Sequence, residues 1–350
     1  MRTFSGPFLT DNGFVQAKID VEGGEIRNFT EGEEDGKDAI IIPAFCDSHT
    51  HIADYVVDEP PTGSIEEIVG PGGLKEKELS SASEHALISS MRSFIKEMIS
   101  YGVSHFLDFR EEGIEGIRTL KKAIDPWSDE IHPMIMGRPK ERKYDDQELD
   151  QILKMSDGIG LSAYRDWDES HLKKVCEKVR DDNKPLALHC SEDVREPIEK
   201  VLDLDVHHLV HMIETKRSDL ERCAEENVPI VICPRSNMFF GKMPDIPSMI
   251  DSGITLSLGT DNAMLTNGNM FREMETAYRI GRMKGEISPL EILMMSTWNP
   301  RKTLLPDSLK NKRDKFNILK YREGDPAYNI VINSSPKDII ETVWWKDGGI

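Results

Sequence analysis

The chain has 350 residues, too many for one small core and suited to a barrel of roughly 250 residues with a second, smaller unit. Its composition, 38% hydrophobic and 31% charged, excludes a disordered or fibrous chain, and no apolar run reaches the ~20 residues that span a bilayer. The formal net charge of −19 argues against a nucleic-acid polymer as partner, because such binders present a basic face.

The first residues, Met1-Arg2-Thr3-Phe4-Ser5-Gly6, lack the apolar core of a signal peptide. The five cysteines are odd in number and have no paired spacing, so a reduced cytoplasm is the expected home. Residues 1–39 read as short strands and turns, with alternation over Phe14–Val21 and a turn at Gly23-Gly24. The apolar run Ile40-Ile41-Ile42 then leads to His49-Thr50-His51. Residues i and i+2 of a strand share a face, so both imidazoles would aim at one point, as a divalent transition metal requires.

Ala53–Leu79 reads as a long irregular segment that forms a lid or pocket wall. Helices and strands alternate from Ser80 onward. Leu87, Ile88, Met91, Phe94, Ile95, Met98 and Ile99 fall on one helical face, and Gly102 ends that helix. Strands are expected at Val103–Phe109, Ile131–Met136, Gly158–Ala163, Pro185–His189, Leu209-Val210, Pro229–Cys233 and Thr255–Leu258. Ser218 is expected to cap a helix, and Ser288-Pro289-Leu290-Glu291 reads as a capping box. Counted from Phe45, eight short apolar strands suit an α/β fold, a (β/α)₈ TIM barrel. An open doubly wound sheet lacks support, because no Gly-rich phosphate loop follows the first strand. The tail, Asn329–Asn333 and Ile339–Trp345, reads as strands. We expect residues 1–43 and 318–350 to form a small β-sandwich beside a barrel at 44–317.

Active residues of such a barrel sit at the C-terminal ends of its strands. These ends carry His49 and His51, then His189 with Glu192, then His211, then Arg235-Ser236-Asn237, then Asp261. His85, His105, His132 and His171 read as structural or surface residues.

This pattern resembles the amidohydrolase superfamily, within it the cytosine deaminase, chlorohydrolase and adenosine deaminase-like branch, from about Ile41 to Leu305. The resemblance rests on Leu209-Val210-His211, Cys233-Pro234-Arg235-Ser236-Asn237, Leu258-Gly259-Thr260-Asp261-Asn262 and Thr297-Trp298-Asn299-Pro300. It implies one divalent metal ion, Zn²⁺ or Fe²⁺, bound by His49, His51, His189 and Asp261. It further implies Glu192 as proton shuttle, His211 as hydrogen-bond donor to a developing oxyanion, and Asp261 as acceptor of a water proton. Two-metal relatives bridge their ions through a carboxylated lysine after the fourth strand. That strand carries no lysine here, so a mononuclear site is expected.

The expected reaction is hydrolysis of a C–N bond, deamination first, in a cyclic or heteroaromatic small molecule. Opening of a cyclic amide or imidazolone ring with the same site, or a catalytically silent barrel used for binding, are the alternatives. Arginines suit carboxylates and phosphates, so Arg110, Arg138 and Arg235, with Asn237, are candidate contacts to an anionic substrate. The opposing reading has these arginines bracing the rim against Asp108, Glu111 or Asp166. A homo-oligomer is suggested by the resemblance alone.

Overall fold

A computed structural model describes residues 1–32, 37–59, 61–306, 309 and 314–345. Four strands lead the chain: β1 (Arg2–Thr10), β2 (Gly13–Glu22), β3 (Glu25–Glu31) and β4 (Ala39–Pro43). Gly23 and Gly24 turn the chain between β2 and β3 at φ 62° and 78°, a conformation that costs glycine little. Parallel strands follow: β5 (Phe45–His51), β6 (Val103–Arg110), β7 (His132–Gly137), β8 (Gly158–Leu161), β9 (Leu186–Cys190), β10 (His208–His211), β11 (Ile230–Ile232), β12 (Leu256–Leu258) and β13 (Asp261–Asn262). The chain closes with β14 (Asp314–Lys320) and β15 (Ile339–Trp345).

The parallel strands form one sheet in the order β12-β11-β10-β9-β8-β7-β6-β5-β13. Its last strand is split. Leu256–Leu258 pairs with β11, and after Gly259-Thr260 the chain pairs Asp261–Asn262 with β5. The ring thereby returns to its first strand, giving a TIM-like α/β barrel. Gly259 permits this closure, since a Cβ there would stand 2.7 Å from the His49 backbone nitrogen. Every residue of β5 and β6 is buried, as both faces of a parallel barrel strand are covered.

The helix Glu84–Ser100 shows how sequence sets the outer layer. Ser83 caps it by accepting the Ala86 N–H, and Met91, Phe94, Ile95 and Met98 are its buried face. Gly102, at φ 77°, stops it in the left-handed conformation. Phe94 is fully buried, so Phe94→Ala should cost about 3–5 kcal/mol.

The terminal segments make a second unit of six strands in the order β1-β2-β3-β15-β14-β4. The sandwich expected there is a small closed barrel, filled by Phe8, Ile19, Phe316, Val343 and neighbours. Phe8 anchors its aromatic cluster, 5.1 Å from the Phe316 ring centre and 5.8 Å from that of Trp345.

Three local expectations are corrected. The run Asn329–Asn333 belongs to a helix, Ala327–Ile332, not a strand. The Pro326 carbonyl accepts the Asn329 and Ile330 amides, and Ile330, Val331 and Ile332 bury against the core. A continuous apolar run satisfies either geometry, and the Pro326 start selects the helix. Segment 53–79 is less irregular than its Pro and Gly content suggests, with helices at Ile65–Ile68 and Leu74–Ser81. The helix expected to be capped by Ser218 starts at Arg217 instead, where Asp219 accepts the Lys216 N–H at 2.9 Å. No helix among the described residues is long and apolar enough to cross a membrane.

Candidate active site

The C-terminal ends of β5, β9 and β10, with the start of β13 just past the end of β12, bring His49, His51, His189, His211 and Asp261 into one cluster, buried except for half-buried His189. One donor atom each from His49, His189, His211 and Asp261 lies within 4.8 Å of the others. His51 joins from the same strand as His49: its Nε2 is 3.2 Å from His189 Nε2 and 3.6 Å from Asp261 Oδ1. His49 Nε2 is 3.2 Å from Asp261 Oδ1. Phe109 lies beneath, its ring centre 4.5 Å from that of His49 and 5.1 Å from that of His189. Two cluster residues have left-handed backbones, His211 at φ 77° and Asp261 at φ 64°. Non-glycine residues hold this conformation at a cost that the surrounding structure must offset, and functional sites are where such strain collects.

Outer contacts fix the tautomers. His189 Nδ1 is 2.9 Å from the Leu161 carbonyl and donates to it. His51 Nδ1 faces Glu111 Oε1 at 2.8 Å, and that carboxylate favours the proton on Nδ1. Both Nε2 atoms are therefore bare lone pairs, yet they face each other at 3.2 Å. A cation between them turns this repulsion into coordination. His49 points to the same need: its ring is fully buried, its Nε2 faces the Asp261 carboxylate, and neither ring nitrogen makes a well-aligned hydrogen bond. The donor set, imidazoles plus one carboxylate, suits zinc or ferrous iron.

Protonation favours the same chemistry. Burial pushes the His49 and His189 pKa values down, and that of His51 down to about 3, so the rings are neutral. Burial opposes ionisation of Asp261, but His49 and His211 hold it well below the usual carboxylate range. Burial raises the Glu192 carboxyl. Glu192 Oε2 lies 3.5 Å from His211 Nε2. Asn237 Nδ2 donates to His211 Nδ1 at 3.2 Å, leaving Nε2 of that ring as the N–H. Ser236 donates its hydroxyl to Asp261 Oδ2 at 2.5 Å.

The cluster opens to a cavity of about 1120 Å³. His51, His189, Glu192, His211, Asp261 and Arg138 line it, as does much of segment 65–80. Arg138 donates Nε–H to the Gly160 carbonyl at 3.1 Å and reaches Glu111 at 3.7 Å. Arg110 and Arg235 are not among the lining residues. Arg110, 2% exposed, is engaged by Asp108 and Glu111. Arg235 donates to the Asn267 carbonyl and side chain, both at 3.0 Å. Asn237 faces His211 rather than the cavity. For Arg110 and Arg235 the geometry is that of rim braces.

Sequence reasoning missed Lys75. It lies within a stretch with no periodicity, yet it is buried and paired with Asp54 at 2.9 Å and Glu111 at 2.8 Å. Glu111 was visible only as a possible arginine partner. Burial opposes its ionisation, but Lys75, then His51 and Arg138, hold its carboxyl well below the usual range.

Comparison with known proteins agrees with this geometry. Residues 40–305 match the model of the amidohydrolase family. An uncharacterized protein of Methanocaldococcus jannaschii is 32% identical over 309 residues, 81% of this chain and 79% of that protein. A 5-methylthioadenosine/S-adenosylhomocysteine deaminase of Haloquadratum walsbyi is 25% identical, over 78% of this chain and 71% of that one. An adenosine deaminase from Xanthomonas campestris, solved with bound zinc, shares the fold at TM-score 0.81 and 14% identity, covering 98% of this chain and 91% of that one. The chain belongs to the amidohydrolase family, enzymes that hydrolyse carbon–nitrogen bonds other than peptide bonds.

Proposed function

We propose that the protein is a mononuclear, metal-dependent deaminase of a heteroaromatic small molecule, held in the cytoplasm. The observation that carries this reading is the pair of bare Nε2 atoms, on His51 and His189, facing each other beside ionised Asp261. His49, His51, His189 and Asp261 would hold the ion. When bound, it supplies a water acidic enough to give hydroxide near neutral pH. Everything else falls to the chain. Asp261 accepts the proton of the attacking water. Glu192 carries a proton to the ring nitrogen as water adds to the adjacent carbon. The C–N bond then breaks as the added oxygen gives up its remaining proton to the Glu192 carboxylate, which passes it to the departing amine, and the amine leaves as ammonia. His211, with its Nε2–H facing the cavity, donates to the developing oxyanion.

The cavity is large for a bare nucleobase, which supports a substrate with a further substituent, as in the named substrates of the Haloquadratum relative. Arg138, half-open to the cavity beside Glu111, is the arginine suited to an anionic group on it. The test is a screen for ammonia release over purines, pterins, pyrimidines and their nucleosides and acidic derivatives, with metal content measured on the same preparation. Stoichiometric ammonia supports the reading. A new carboxylate without ammonia assigns ring opening instead, and a metal-loaded but inert protein across the panel assigns a binding role.

A further inference from the structure

The helix Leu74–Ser81 is an unusual cover for an active site. Lys75 and Leu79 are its buried residues, and apart from half-buried Leu74 the rest of its surface is polar. A lysine is seldom buried unless it is paired. Lys75 is 6% exposed and pairs with Asp54, itself 0% exposed, and with Glu111. The same Oε1 of Glu111 that Lys75 contacts at 2.8 Å lies 2.8 Å from His51 Nδ1. The other oxygen of Glu111 takes Arg110 at 2.9 Å. A continuous chain of contacts therefore runs from the cavity wall through Lys75 and Glu111 to His51.

We propose that Lys75 is a positioning residue that locks His51 for metal binding through the Glu111 carboxylate, joining the pocket wall and the metal centre into one unit. The proposal rests on the metal reading above. Its physical content is charge and geometry. Without the Lys75 ammonium, the buried carboxylates of Asp54 and Glu111 lose their shared cation, and Glu111 shifts toward Arg110 and Arg138. His51 then loses the acceptor that fixes its ring and keeps Nε2 aimed at His189 and Asp261. Outer carboxylates that hold a ligating histidine typically contribute roughly 10–100-fold to metal affinity.

The experiment measures metal affinity on the full chain by competition with a chromophoric chelator, and records the visible spectrum of the Co²⁺-substituted protein. Lys75→Met should bind the ion roughly 10–100-fold more weakly, with an altered Co²⁺ spectrum. Lys75→Arg, which keeps the charge, should recover most of the affinity. Arg142→Ala breaks the wall's other ion pair, to Glu76, without touching Glu111, and should leave affinity and spectrum unchanged. Should Lys75→Met fail to fold, Glu111→Gln carries the same expectation. Wild-type affinity and spectrum in Lys75→Met, or in Glu111→Gln, overturns the proposal, as does an equal loss in Arg142→Ala. His49→Ala separates the two readings: metal binding unaffected by that change removes the metal site itself, whatever Lys75 does.

Discussion

Thr260 donates both its backbone N–H, at 2.8 Å, and its hydroxyl, at 2.6 Å, to the carboxylate of Asp47. This clamp ties the turn that delivers Asp261 to the strand that delivers His49 and His51. It lies where the split strand crosses from β11 to β5, and it holds the closing seam of the barrel beside the histidine–aspartate cluster. Asp47→Ala leaves two buried donors unsatisfied, each costing about 1–3 kcal/mol. The expected result is a lower denaturant midpoint together with weaker metal retention, measured on one preparation.

Glu192→Gln should retain its metal and its fold while kcat falls by about 10²–10⁴, the usual contribution of a positioned proton carrier. Metal analysis and steady-state ammonia release on the same protein check this. An active Glu192→Gln enzyme removes that residue from the proton path.

Much of this site was legible in the chain because barrel chemistry sits at strand ends, and short apolar runs mark those ends. His49, His51, His189, His211 and Asp261 could each be located by the strand that precedes it, and the structure gathers them in one cluster. Lys75 escaped because nothing local marks it: its helix has no apolar periodicity, and its partners Asp54 and Glu111 are distant along the chain or on another element. The rim arginines were ambiguous for a related reason. Arg110 follows Asp108 by two residues, but only the folded strand shows that its guanidinium turns inward to Asp108 and Glu111. The helix at Ala327–Ile332 was hidden by β-branched residues whose burial outweighs their intrinsic preference.

Arg138 and Arg110 should therefore respond differently to truncation. Arg138→Ala should raise KM for an anionic substrate by about tenfold with kcat little changed, the signature of lost uniform binding. Arg110→Ala should instead destabilise the fold by about 3–5 kcal/mol, because it leaves buried Asp108 without its cation and takes one of three cations from Glu111. Kinetics on the first variant and denaturation of the second test the pair.

Glu273 gives a pH signature outside the site. It is fully buried, its Oε1 accepts the Arg235 backbone N–H at 2.9 Å, and burial, opposed by Arg235, pushes its pKa up to about 8. Unfolded, the group titrates near ~4.3. The folded chain thus holds a proton that the unfolded chain has released between these values. This contribution is complete below the lower value and is lost as pH rises through the upper one, with a slope of at most about 1.4 kcal/mol per pH unit. Glu273→Gln keeps an acceptor for the Arg235 amide and should flatten the fall in unfolding free energy over that window. A wild-type slope in the variant assigns the pH dependence to other groups.

The central claim is one ion held by His49, His51, His189 and Asp261, activating water for deamination. Metal analysis of the purified protein, before and after His189→Ala and with ammonia release measured alongside, tests it most directly. The account predicts close to one zinc or iron per wild-type chain, activity that falls with chelation and returns with metal, and loss of both ion and activity in the variant. Two ions per chain, or full ammonia release by metal-free protein, would contradict it.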